Sequence, residues 1–272
     1  IANNENLGFV KANNQAIEIA RGRYVLLLNS DTIVLDRAIE KTLKFADAHP
    51  EAAVVGCKVF LPDKVHIQRN SCRFYSTLNM FLDASYFSRV LPKNRFFGRK
   101  RYAGWNFDTI REVDVIIGCY SFVRMEAIKQ VGVMDEIFFL YGDDIDWCYS
   151  FVKAGWKVMF FPGARIIRYG GQSTLVNKRR AMRFQHQLYG AMILHVKKHF
   201  SNKTFLICRL LTAFFFFFRV FFWIVSGLIQ KEDKFTSFRV AKGYFWGGYY
   251  SLFNWTKLLI NQDEVKQKFY GH

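Results

Sequence analysis

Five apolar residues in a row, Tyr24 to Leu28 (YVLLL), are too few for a buried helix and suit a strand covered on both faces. Upstream, Phe9, Ala12, Ala16, Ile17 and Ala20 recur at helical spacing, and Gly22 stands where a helix C-cap belongs. A helix that feeds a doubly covered strand predicts an α/β layer fold. The strand runs out into the polar triplet Asn29, Ser30 and Asp31.

The alternation continues downstream. Asp36 is placed to cap a helix whose Ile39, Leu43 and Ala46 form the buried stripe, with Pro50 just past its end. AAVVGCKVF (52–60) reads as a strand, and residues 61–112 as irregular chain that carries a basic loop, Arg89 to Arg101, with six basic residues and no acid. VDVIIGCYSFV (113–123) predicts a strand interrupted by Gly118, followed by a short helix over 125–130. FFLYGDD then leads into an amphipathic helix closed by Gly155, and WKVMFF makes a further strand.

Composition enters through charge. With 39 Lys plus Arg against 22 Asp plus Glu, the formal net charge is +17, which calls for an anionic partner. From Phe161 to Gln230 there are eleven basic residues and no acid, so the positive field lies beside the most apolar part of the chain. That placement favours an anionic membrane surface over nucleic acid, for which no reading element is recognisable. The 51% apolar content excludes disorder. Five widely spaced cysteines with no C-x-x-C pair predict neither a disulfide framework nor a zinc site. The chain opens at Ile1 without a visible leader, so a cut N-terminus is expected.

After Gly171 the character changes. A basic helix is predicted over 177–199, followed by TFLICRLLTAFFFFFRVFFWIVSGLI (204–229), long enough to span a bilayer. Arg209 and Arg219 oppose insertion by about 2.5–3.5 kcal/mol each at mid-membrane, and each Phe or Leu offsets about 0.3–0.6 kcal/mol. A span and a helix lying in the headgroup layer both fit, and GYFWGGYYSLFNW (243–255) is aromatic-belt material for either. His195 and His199 have i, i+4 spacing, but Lys197 and Lys198 beside them oppose a cation, and the histidines are expected at surfaces or interfaces.

Two acidic groups are candidates for chemistry. Asp31, just past the carboxyl end of a buried strand, reads by itself first as an Asp turn and second, with Asn29, as a ligand for a divalent cation. Asp143, Asp144 and Asp146 stand where a helix begins, which the macrodipole favours for structural reasons alone. Carboxylates crowded this closely also raise one another's pKa, as a general base requires.

Taken in order, ENLGFVKANNQAIEIARGRYVLLLNSDTIV followed by GCYSFVRMEAIKQVGVMDEIFFLYGDDIDWCYSFVKAGWKVMFFPGARIIRYGGQST resembles the family 2 glycosyltransferases, above all their bacterial rhamnosyltransferase-like branch, over about Asn3 to Thr174. The resemblance implies a GT-A nucleotide-diphospho-sugar transferase fold, a mostly parallel mixed sheet flanked by helices, and inverting single-displacement transfer. It makes Asp31 the ligand of a Mg or Mn ion on the donor diphosphate, with Asn29 where many members carry another Asp. Asp144 becomes the general base, and Asp143 its partner in place of the usual Glu. Asp146 and Trp147 are left as helix-start and packing residues.

The sequence departs from the family pattern in two places. Arg168 stands before the Gly-Gly-x-Ser segment where His is usual; it cannot ligate a metal but can pair with phosphate oxygens. An opening strand-helix-strand that would bind the nucleobase is also missing. The expected domains are therefore 1–200, a GT-A domain without that unit, and 201–272, an aromatic-rich helical region that associates with membrane. The implied activity moves rhamnose or another deoxyhexose from a nucleotide-diphospho-sugar to a lipid-linked or polysaccharide acceptor in envelope glycan synthesis, at the cytoplasmic face of the bacterial inner membrane. The alternative is a non-catalytic surface module that binds glycolipid or a partner enzyme.

Overall fold

The YVLLL run forms strand β1 (Tyr24–Leu28) of a seven-stranded mixed sheet. The computed structural model describes residues 1–85, 87–139, 141–169, 178–229 and 234–259. The chain packs as two units: Ile1–Phe74 with Pro92–Phe139 and Asp143–Gly170, and Tyr75–Leu91 with Leu140–Gly142 and Gly171–His272. The basic helix Lys178–His199 falls within the second unit.

In the first unit the strands are β2 (Thr32–Leu35), β3 (Ala52–Phe60), β4 (Ile67–Gln68), β5 (Ser71–Cys72), β6 (Arg111–Glu112), β7 (Val115–Ile116), β8 (Tyr120–Arg124) and β9 (Lys157–Arg168). The sheet order is β1-β8-β3-β9-β2, with β4 on β3 and β6 on β9, while β5 and β7 form a separate ladder. Among the described residues only β3 and β9 pair in parallel, so the sheet is mixed but mostly antiparallel, not mostly parallel as expected. Strand β9 runs well past WKVMFF: its register against β3 jumps from Cys57↔Phe161 to Lys58↔Arg165, and the strand ends at Arg168 beside Thr32.

The two faces follow the period-two alternation of the strands. Tyr120 and Phe122 join Val55, Cys57 and Val59 against helix α2 (Ala38–Ala48), with Phe45 and Ala46 in the same cluster. Ser121, Val123, Leu27 and Val54 face the other way, towards Phe9 of α1 (Phe9–Ile19) and Trp147 and Cys148 of α6 (Asp143–Lys153). Each large side chain buried in these layers contributes roughly 1.5–3 kcal/mol. Arg124 closes the C-terminal end of α2, its Nη2 donating to the carbonyls of Ala46 at 2.7 Å and His49 at 3.0 Å, where a cation complements the helix dipole. A short helix α5 (Met125–Val131) follows β8 as expected.

Several local expectations are corrected. Strand β1 pairs only with β8 among the described residues, so only Leu27 is buried and Leu28 is 40% exposed. Gly22 does not cap α1; Ala20 leaves the helix in an extended conformation, its N–H on the Ile17 carbonyl. Nor does Asp36 cap α2: its carboxylate pairs with Arg165 at 2.7 Å, and the helix begins at Ala38 after Arg37 at φ 57°. Residues 61–112 also hold more structure than expected, including helix α3 (Thr77–Ala84), capped by Ser76 Oγ accepting from Asn79 N–H, helix α4 (Phe87–Val90) and a 3₁₀ turn, Arg99–Arg101. The five thiols are free and buried.

The second unit is helical: α3, α4, α7 (Lys178–His199), α8 (Asn202–Ile229) and α9 (Lys234–Phe253). Helices α8 and α9 run antiparallel, with Arg209 at Ser251 and Phe217 at Phe245. Gly248 permits the approach: a Cβ there would lie 2.7 Å from the Phe217 ring. Helix α8 is long and apolar enough to cross a membrane, its most apolar window reaching a mean hydropathy of 2.1. Arg209 donates to the Ser251 and Leu252 carbonyls, and Arg219 lies over the rings of Phe215 and Tyr244. His195 is fully buried on α7, its ring 5.7 Å from that of Tyr75.

Candidate active site at the sheet end

The carboxyl end of β1, the start of β2 and the end of β9 meet at one place, and the sheet register fixes which side chains do so. Asn29 donates its backbone N–H to the Cys119 carbonyl at 3.2 Å, and Tyr169 donates its own to the Asp31 carbonyl at 2.8 Å. Thr32 Oγ1 closes the turn on the Asn29 carbonyl at 2.7 Å. The Asn29–Asp31 loop is thereby pinned from both neighbouring strands.

Arg168, delivered by the extension of β9, places its Nε 3.3 Å from Asp31 Oδ2. With its amide oxygen towards Arg168, Asn29 accepts from Nη2 at 3.1 Å and donates its own NH₂ to the Gly118 carbonyl at 3.1 Å. The next peptide contact completes the chain: Gly118 N–H donates to Asp144 Oδ2 at 3.2 Å, while Asp144 Oδ1 accepts from Ile145 N–H at 2.9 Å. Asp31, Arg168, Asn29, Gly118 and Asp144 thus form one connected polar path across the end of the sheet.

The two acids at the start of α6 lie in an apolar setting. A cavity of about 10 Å³, room for a single water, lies under Asp143 and Asp144 and is lined by Phe9, Leu27, Ile116, Met134 and Trp147. Burial pushes Asp143 well above the usual carboxylate range, and the charge of Asp144 adds to the rise. Burial pushes Asp144 up as well, against the pull of its Gly118 and Ile145 donors. Asn14 supports this wall, its side chain exchanging two hydrogen bonds with the Met134 backbone at 2.8 and 3.2 Å. Trp147 packs in the same wall and donates its indole N–H to the Gly132 carbonyl at 3.0 Å. Cys119, within electrostatic reach of Asp31 and Asp144, is buried, and burial raises its thiol to about 11, against a reactive thiolate.

Asp31 Oδ1 is buried without a hydrogen-bond partner among the described residues, a free hard oxygen ligand. The other oxygen faces Arg168, and the amide oxygen of Asn29 also points to that guanidinium. The residues therefore fit an ion held by one protein carboxylate oxygen and completed by substrate phosphates, the manner in which Mg is commonly bound. They do not form a full protein cage.

All five residues singled out in the sequence, Asn29, Asp31, Asp143, Asp144 and Arg168, stand at this end of the sheet. Sequence reasoning missed the Gly118 peptide as the bridge between the two halves, although the glycine interrupting VDVIIGCYSFV marked the place. It also missed Asn14, whose partner is distant in sequence.

The chain is 25% identical over 158 residues to the N-acetylglucosaminyl-diphospho-decaprenol L-rhamnosyltransferase of Mycobacterium tuberculosis, covering 56% of this chain and 48% of the relative. It is 24% identical over 205 residues to Rhamnosyltransferase WbbL of Escherichia coli (strain K12), covering 73% and 74% of the two chains. The chain thus spans about half the length of the mycobacterial relatives. Among solved structures, GalNAc-T7 with UDP, GalNAc and Mn²⁺ superposes with a TM-score of 0.50 at 11% identity, over 99% of this chain and 46% of that one. That likeness is one of fold, and the mixed sheet flanked by helices is the GT-A architecture implied by the resemblance. The profile of Glycosyltransferase like family 2 matches residues 1–186, and the chain belongs to that family.

Proposed function

We propose that the sheet end performs inverting sugar transfer from a nucleotide-diphospho-sugar to a lipid-linked or polysaccharide acceptor. The observation that carries this reading is the polar path from Asp31 through Arg168, Asn29 and Gly118 to Asp144, which sets a phosphate-pairing cation and a free carboxylate oxygen beside a desolvated carboxylate. The acceptor oxygen bonds to the anomeric carbon as the bond from that carbon to the diphosphate breaks. The hydroxyl proton passes to Asp144 and then to solvent, and the electron pair leaves on the nucleoside diphosphate.

Each residue has a distinct part. Asp144 is the base, and its raised pKa brings proton affinity towards neutrality, where base catalysis is most effective. Asp143, one methylene shorter than Glu, lies against it and holds the acceptor side of the site. Arg168 pairs with the leaving phosphate oxygens, and Asn29 orients its guanidinium. When bound at Asp31, a Mg or Mn ion supplies Lewis-acid stabilisation of the departing diphosphate.

The names of the relatives point to rhamnosyl donors and, for the mycobacterial enzyme, to a sugar on a polyprenyl diphosphate. Such an acceptor places the reaction at a membrane, with the cytoplasmic face of a bacterial inner membrane as the proposed location. The exposed aromatic surface of α8, including Phe221 and Phe222, is the proposed anchor. The test is to incubate the full-length protein with a panel of nucleotide-diphospho-sugars and a polyprenyl-diphosphate-linked acceptor. A glycolipid of inverted anomeric configuration supports the reading, and a product of retained configuration contradicts it.

A further inference from the structure

Away from the acids, within the same unit, four arginines far apart in sequence line one cavity. Arg73, Arg95, Arg99 and Arg111, with Tyr102, Ala103, Gly104 and Trp105, enclose about 330 Å³, ample for a phosphate or diphosphate group. None of the four forms an ion pair with a carboxylate among the described residues. The nearest acids in sequence are otherwise engaged: Asp108 pairs with Lys58, Asp114 accepts from the Tyr102 hydroxyl and the Phe74 N–H, and Glu112 faces Lys157.

Two of the guanidinium groups, those of Arg73 and Arg111, rest on aromatic rings. Arg111 lies over both Tyr102, at 4.9 Å, and Trp105, at 5.1 Å, and Arg73 lies over Tyr102 at 5.1 Å. Trp105 is itself stacked on Phe107 at 4.0 Å, so the ring faces serve the arginines rather than a sugar. Arg73 Nε is buried without a hydrogen-bond partner among the described residues. Gly104, at φ 84°, leaves room for Arg95, whose Nε lies 2.9 Å from where a Cβ would be. Four cations that line one cavity repel until an anion enters, and guanidinium forks match phosphate oxygens.

We propose that this cavity is a second anion site, distinct from the Asp31 site, that binds a phosphate or diphosphate group. It stands independently of the transferase reading, since it needs neither Asp144 nor a metal. The group comes either from a lipid that bears a diphosphate or from a free phosphate compound, and the chemistry of recognition is the same.

The test titrates inorganic pyrophosphate by calorimetry into the full chain in neutral detergent micelles with EDTA present, so that no metal carries the anion to Asp31. Saturable binding is expected, weakened at least tenfold in Arg99→Gln and in Arg111→Gln and unchanged in Lys129→Gln, an exposed cation on α5. Arg95→Gln, on an exposed loop, provides a variant that does not threaten the fold. Binding lost in Arg168→Gln but kept in the cavity variants overturns the proposal, as does the absence of saturable binding. A second arm uses zwitterionic vesicles doped with a polyprenyl diphosphate. Capture that pyrophosphate competes away identifies a lipid-borne diphosphate; pyrophosphate binding without capture identifies a free phosphate ligand. Vesicle capture that the Arg99→Gln and Arg111→Gln variants retain in full overturns the assignment.

Discussion

Arg168 Nε lies 3.3 Å from Asp31 Oδ2, while the other oxygen of the same carboxylate, Oδ1, is buried with no hydrogen-bond partner among the described residues. The acid is therefore half neutralised by a protein cation and half free for an external one. Where histidine would offer a ligand nitrogen, this chain offers a fixed charge.

Removing the charge is expected to cost catalysis. Arg168→Ala deletes a phosphate-pairing donor, and loss of one preorganised donor to a developing anion typically costs about 10²–10³-fold in turnover. Steady-state kinetics of the full-length protein is expected to show that loss mainly in kcat, with partial recovery in Arg168→Lys. An unchanged kcat in Arg168→Ala would remove Arg168 from the leaving-group role.

The raised pKa of Asp143 has a consequence for stability. Because the folded value lies above the unfolded one, the folded state binds more protons across the interval between them, so stability falls as pH rises through it. Asp143→Asn removes that penalty and is expected to raise the melting temperature more at pH 8 than at pH 4. Equal shifts at both pH values would show that Asp143 titrates normally.

Asn14 is buried and exchanges two hydrogen bonds with the Met134 backbone. Asn14→Ala strands both Met134 groups, at about 1–3 kcal/mol for each group left buried and unsatisfied. Urea unfolding should show a lower midpoint with little change in slope, and a midpoint equal to that of the unaltered protein would contradict the pairing.

Gly56 lies against β7, where a Cβ would lie 2.4 Å from Ile116 Cδ1. Gly56→Ala overpacks that contact and is expected to destabilise by about 1–3 kcal/mol. The double variant Gly56→Ala with Ile116→Val should recover part of the loss, and no coupling between the two positions would argue against the close approach.

Phe221 and Phe222 are 67% and 62% exposed on α8. Phe221→Asp with Phe222→Asp is expected to lower partitioning onto anionic vesicles in flotation assays while leaving the first unit folded. Undiminished flotation would show that another surface carries the association.

The elements that position the site were legible because they rest on local patterns. YVLLL gave a strand, the stretch before Gly155 a helix, and the paired acid motifs a family whose fold then followed. What escaped was set by distant partners. Strand β9 extends to Arg168 because β2 and β3 pair with it, which the WKVMFF run alone does not reveal. Asp36 has the chemistry of a cap, yet Arg165 takes its carboxylate. The arginine cavity draws on residues from 73 to 111, and the basic loop was visible in the sequence only as charge.

In the proposed transfer, Asp144 accepts the proton of the attacking hydroxyl. The most direct measurement compares nucleoside diphosphate release, dependent on added acceptor, by full-length protein and its Asp144→Asn variant, with vesicle binding and melting temperature recorded for both. The account predicts a loss of at least about 10²-fold in turnover, the lower end of what a positioned base contributes, with binding and folding retained. Turnover within a few-fold of the unaltered protein would contradict it.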